Sequence, residues 1–144
     1  MLLAGPGRTF GPAPLLVATA VAAVPFYLQP FAVVGAHQPM ALFPFLGYYA
    51  FTTLQTLSHV IDLLLIYAPI GFAIQWARKS SNESARAVIW AVVIALPLEY
   101  GQGWIAGRFP DITDVGMAGL GALIGAVISR RGMQSSHFPR QQAD

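Results

Sequence analysis

No Asp, Glu, Lys or Arg occurs between Arg8 and Asp62. A water-soluble domain draws about 25% of its residues from those four types. An uncharged run of this length also exceeds the roughly 20 apolar residues that carry a helix across a bilayer. The rest of the chain agrees: 56% of its 144 residues are hydrophobic and 10% are charged. These values exclude an ordinary cytosolic enzyme and a disordered chain, and the length suits one domain. The net charge of +2 comes from eight scattered Lys and Arg against six acids. Such a distribution cannot line a nucleic-acid groove, so no nucleic-acid partner is expected. The chain has no cysteine, which removes disulfides, cysteine-ligated metals and cysteine nucleophiles.

The apolar pattern predicts an all-α integral membrane protein, a four-helix bundle. Spans are expected at about 13–31, 57–77, 85–104 and 111–129, with prolines at 14, 25 and 30 kinking the first. A short interfacial helix, Phe45–Leu57, is expected between the first two spans, with Tyr48, Tyr49 and Phe51 at headgroup level. Ser81, Asn82 or Ser84 is expected to cap the third span. Residues 1–131 form one transmembrane domain, and 132–144 read as a flexible tail. With the N-terminus in the cytoplasm, Arg8, Arg78, Lys79, Arg86, Arg130, Arg131 and Arg140 fall inside and only Arg108 outside, as the positive-inside rule requires. A fifth span over Pro39–Leu57 fits that rule less well. A second reading makes the first span a signal sequence cleaved near Ala18-Thr19-Ala20.

Helix rise converts spacing into depth. Asp62 lies sixteen residues before Arg78, Asp114 sixteen before Arg130, and Glu99 thirteen after Arg86, or about 24, 24 and 20 Å. Three acids on three helices are therefore expected in the outer third of the membrane. Gln102 and His59 fall at the same level, and Arg108 and Asp111 lie just above. Charges at such depth usually face a bundle interior or a wet cavity. Glu99 and Gln102 share one helix face, as do His59 and Asp62. Pro97 loosens the helix beside Glu99 by freeing the Val93 carbonyl.

Each polar residue also has a plain structural reading. Asp111 suits a helix N-cap, and Asp114 suits the positive end of the helix dipole. Arg108 can anchor at the surface beside Asp111, and His59 and Asp62 can sit among headgroups. The small residues of the fourth span, with Gly121 and Gly125 four apart, are read as packing within the monomer in preference to dimerisation. No phosphate-cradling loop, catalytic triad or diagnostic metal spacing is present, so no cofactor or metal is expected and catalysis stays open.

The segment from Glu99 to Val115 carries Glu99, Gln102, Arg108, Asp111 and Asp114 ahead of a Gly-rich helix. It resembles the hallmark of the VanZ-like family, Glu-x-x-Gln, then Arg, then two acids three apart. Ala68-Pro-Ile-Gly-Phe72 is similar to that family's Phe-x-Pro-x-Gly element, and Phe43-Pro-Phe45 to its Pro-Phe element. Two Asn positions of the family pattern are absent: Ala118 stands four residues after the second acid, and Leu63–Tyr67 precedes the proline. The resemblance implies a bacterial cytoplasmic-membrane protein tied to the cell envelope and to teicoplanin resistance, with no assigned reaction. It makes Glu99, Gln102, Arg108, Asp111 and Asp114 candidate ligand-binding residues, to which the depth arithmetic adds Asp62. Two functions compete. One is an outward-facing polar pocket for an envelope lipid or glycopeptide-like ligand, with Arg108 meeting a phosphate or carboxylate. The other is a non-catalytic accessory subunit that docks partner membrane subunits. Transport is disfavoured, because the chain has no internal repeat.

Overall fold

The computed structural model describes residues 13–50, 52–78 and 83–135, with backbone only at 50 and 135. Four α-helices follow one another: α1 (Ala13–Leu28), α2 (Thr53–Arg78), α3 (Glu83–Gln102) and α4 (Ile112–Ser135). A 3-10 turn, Gly47–Ala50, precedes α2. Among the described residues no strand forms; Val33 pairs with Ile105 and Ala41 with Asp111 only as isolated bridges. α2, α3 and residues 112–134 of α4 are each long and apolar enough to cross a membrane, while α1 is a shorter apolar helix.

Several boundaries differ from those read in the sequence. α1 ends at Leu28, because Pro30 lacks an N–H and disfavours helix at Gln29. The expected interfacial helix is reduced to the 3-10 turn, and α2 takes over residues 53–57. A capping box explains this. Thr52 Oγ1 accepts from Gln55 N at 3.4 Å, and Gln55 Oε1 accepts from Thr52 N at 3.1 Å. Ser84 lies inside α3 rather than at its cap. α4 runs through Arg130 and Arg131 to Ser135, so the first residues of the expected tail are helical. Arginine is a good helix former, and a lipid boundary need not end a helix. Ser81 and Asn82, Arg8, Lys79, Arg140 and the tail beyond 135 lie outside the described residues.

On α3 and α4 the buried face is built from small side chains and the outward face from large apolar ones, whereas α1 and α2 bury Tyr27, Leu63, Tyr67 and Ile70. Ala87, Ala91 and Ala95 of α3 and Ala118, Ala122 and Ala126 of α4 are fully buried. Val17, Val21, Leu65, Trp76, Ile89 and Ile128 point outward. That inversion suits lipid, where helices associate by close backbone approach and have no hydrophobic drive to bury bulk. The tightest seam joins α2 to α4. A Cβ on Gly71 would strike the backbone of Ala122 and Ala126, one on Gly125 the backbone of Ala68, and one on Gly121 that of Leu64. Positions rise together along both helices, so α2 and α4 lie parallel. Gly121 and Gly125 thus serve the monomer's own packing. Gly119 faces Val88 and Val92 of α3.

Both N-termini of this parallel pair lie at one end of the bundle. The α1–α2 and α3–α4 connections meet there, and their backbones pair. Val34 N donates to Trp104 O, Gln38 N to Gly103 O and Ala41 N to Pro110 O, each at 2.8 Å. In return Ala106 N reaches Ala32 O at 2.8 Å and Ile112 N reaches Ala41 O at 2.9 Å. Arg78, Arg86, Arg130 and Arg131 lie toward the opposite end, at the C-termini of α2 and α4 and the start of α3.

Candidate ligand-binding cleft

Five of the residues singled out in the sequence belong to the α3–α4 turn or its flanks, and the fold gives each a different task. Glu99 is fully buried in the last turn of α3. Its Oε2 accepts from Gln102 Nε2 at 3.0 Å, and its Oε1 accepts from the Asp111 backbone N at 2.7 Å. A buried carboxylate needs such donors, and these tie the end of α3 to the start of α4.

Asp111 is the N-cap of α4. Its Oδ1 accepts from Thr113 N at 2.8 Å and from Thr113 Oγ1 at 2.6 Å, satisfying an orphan amide of the first turn. Its Oδ2 accepts from Gly47 N at 2.8 Å, and Thr113 Oγ1 accepts from Phe45 N at 2.6 Å. The cap therefore also fixes the segment before α2. Asp114, one turn on, uses both oxygens. Tyr48 Oη donates to Oδ1 at 2.6 Å, and His59 Nε2 meets Oδ2 at 2.7 Å. Burial, and then the bond to Asp114, push the Tyr48 phenol above its ordinary pKa, so it stays a neutral donor. The His59 ring stacks on Phe26 of α1, with centroids 5.4 Å apart.

Arg108 does not pair with Asp111. Its Nε donates to Gln29 O and its Nη2 to Phe26 O, both at 2.8 Å. These are carbonyls at the end of α1, where a helix has unmet acceptors and a partial negative charge. The cation thus pins α1 to the α3–α4 turn. Asp62 stands apart from the hydrogen-bonded cluster: it is exposed on α2, at the edge of a cleft.

That cleft has a volume of about 320 Å³. Gln55, Ser58, His59 and Asp62 of α2 form one wall. Thr56 adds to that wall, and Gly47, Tyr48, Gln102, Arg108, Phe109, Asp111 and Asp114 form the rest. Glu99 lies beneath, behind Gln102 and Asp111. Gln55, Ser58, His59 and Asp62 make a polar stripe at i, i+3, i+4 and i+7, one face of a helix. The spacing is visible in the sequence, but it straddles the expected boundary between the interfacial helix, which holds Gln55, and the second span, which holds Ser58, His59 and Asp62. Gln55, Ser58, Asp62 and Phe109 are exposed, so the cleft is open. Among the described residues no group of three His, Cys, Asp or Glu is arranged to hold a metal ion.

Three helices able to span a bilayer, a fourth shorter apolar helix and a seam of small residues define a multi-pass helical membrane protein. The family model VanZ/LLP1 matches residues 14–133, and the chain belongs to the VanZ/LLP1 family. The match takes in α1, the α2–α4 seam and every residue of the cleft. No curated protein and no solved structure matches the chain.

Proposed function

We infer that the cleft binds the polar headgroup of an envelope lipid, or a glycopeptide-like ligand, on the outer side of the bacterial cytoplasmic membrane. The observation that carries this reading is the open cavity lined by Gln55, Ser58 and Asp62 of α2 beside the His59–Asp114 pair. Two nitrogens of Arg108 are already engaged by α1, and the oxygens of Asp111 and Asp114 by their own neighbours, which leaves the exposed Asp62 carboxylate as the charged group offered to a ligand. The matching ligand group is therefore a donor, a hydroxyl, amide or ammonium, and the phosphate expected opposite Arg108 is disfavoured. The arginines at the far end support the outward orientation by the positive-inside rule. Melting of the detergent-purified protein tests the reading. Phosphatidylethanolamine, teicoplanin and phosphatidylglycerol are added in turn. One of the first two should raise the melting temperature more than phosphatidylglycerol does, and Asp62→Asn together with Ser58→Ala should remove the rise. No shift from either of the two sinks the reading.

The accessory-subunit reading draws on a different observation. Glu99, Asp111 and Arg108 all direct polar atoms at the protein's own backbone, which is what a purely structural cluster does. Purification in mild detergent separates the two readings. A stoichiometric partner that stays bound to the Asp62→Asn, Ser58→Ala variant favours the subunit role.

A further inference from the structure

The connection between α1 and α2 has an outer surface that the cleft does not use. Val33 (75%), Leu42 (73%), Phe43 (75%) and Tyr49 (87%) are among the most exposed side chains, and Phe31 and Leu46 point outward beside them. This is no loosely hanging loop. Its backbone is paired to the α3–α4 turn through Val34, Gln38 and Ala41, and Phe45 N and Gly47 N are held by Thr113 and Asp111. Phe31 and Phe45 adopt left-handed backbone conformations, with φ of 59° and 66°. That conformation is costly for a non-glycine residue and persists only where the surroundings dictate it. The fold therefore holds these apolar side chains outward.

Three facts say what covers them. The segment carries no charged residue. Much of its backbone is hydrogen-bonded within the protein, the condition for irregular chain to leave water. The helix that follows, α2, is also able to span a membrane and exposes Leu54, Leu57, Ile61 and Leu65. We propose that residues 31–49 form a collar embedded in the headgroup and upper acyl region of the outer leaflet, so that the cleft mouth opens within the membrane. Apolar and aromatic side chains are at home at that depth. The collar is independent of what the cleft binds.

The absence of cysteine makes the test direct. Val33→Cys, Phe43→Cys and Tyr49→Cys are each labelled with bimane in the full chain. Leu65→Cys serves as the lipid reference and Gln134→Cys as the aqueous one. In phosphatidylethanolamine–phosphatidylglycerol vesicles, lipid spin-labelled near the headgroup should quench the three collar sites as strongly as Leu65→Cys. Iodide should quench Gln134→Cys and leave the collar unaffected. Quenching of the collar by iodide means water covers it and overturns the proposal. Protection from both quenchers means a protein covers it and overturns it equally. Three separate positions keep the test decisive should one variant fold poorly, and no outcome depends on a cleft ligand.

Discussion

The α2–α4 seam and the cleft end of the bundle are held together by opposite means. Along the seam, Gly71, Gly121 and Gly125 let backbones touch, and shape alone decides the fit. At the cleft end, Glu99, Asp111, Asp114, Thr113 and Arg108 fasten loops and helix ends through hydrogen bonds at 2.6–3.0 Å. In lipid the seam has no spare volume to give. The polar end, nearer water, has redundant links and can lose one. Steric packing should therefore fail abruptly and polar fastening by degrees.

The seam gives the largest expected effect. Gly125→Leu would drive a side chain into the Ala68 carbonyl and should cost about 3 kcal/mol or more, enough to prevent assembly. Loss of a monodisperse peak on size exclusion checks this, and a normal peak would show that the seam can yield. Next, Glu99→Leu removes two acceptors and leaves the Asp111 N–H and the Gln102 amide without them. It should cost about 2–3 kcal/mol in a thermal or SDS unfolding assay. Glu99→Gln keeps one acceptor and should cost less. Equal losses would mean that charge, and not hydrogen bonding, holds the turn.

Arg108→Ala should cost about 1–2 kcal/mol, concentrated on α1. Hydrogen exchange should speed up in residues 13–28 and stay unchanged in α4; uniform acceleration would contradict the pinning role. The smallest effect, about 1 kcal/mol, is expected for Tyr48→Phe. Its sign with pH follows from the raised phenol pKa. The bond's contribution is complete below the unfolded tyrosine value of about 10 and fades as pH rises beyond it. Part of the alkaline loss of stability should therefore vanish in Tyr48→Phe, and an unchanged alkaline limb would dismiss the bond.

The apolar runs make all four helices legible in the sequence, because membrane length and hydrophobicity are local properties. The use of Gly121 and Gly125 is legible too, since small residues four apart have few other purposes in lipid. The beginning of α2 was written in Thr52-x-x-Gln55 but masked by the aromatic residues beside it, which suit an interfacial helix equally well. Arg108 could not be placed from sequence. Its partners are carbonyls near Gln29, about 80 residues away, and backbone acceptors leave no mark on side-chain chemistry. The sequence puts His59 on one face with Asp62, but only the crossing of α2 past the start of α4 gives it Asp114. Ala118, where the family pattern has Asn, is fully buried one turn below Asp114. On α4 the run of hydrogen-bonded acids therefore ends at Asp114.

The paired connections also bear on how the chain is made. Val34, Gln38 and Ala41 find their carbonyl partners at 103–110, in sequence that a ribosome delivers long after α2 has emerged. Until then the early connection has amides with nothing to bond but water or neighbouring lipid headgroups. The α1–α2 connection, though made before the α3–α4 turn, is thus completed only after it, when α4 arrives.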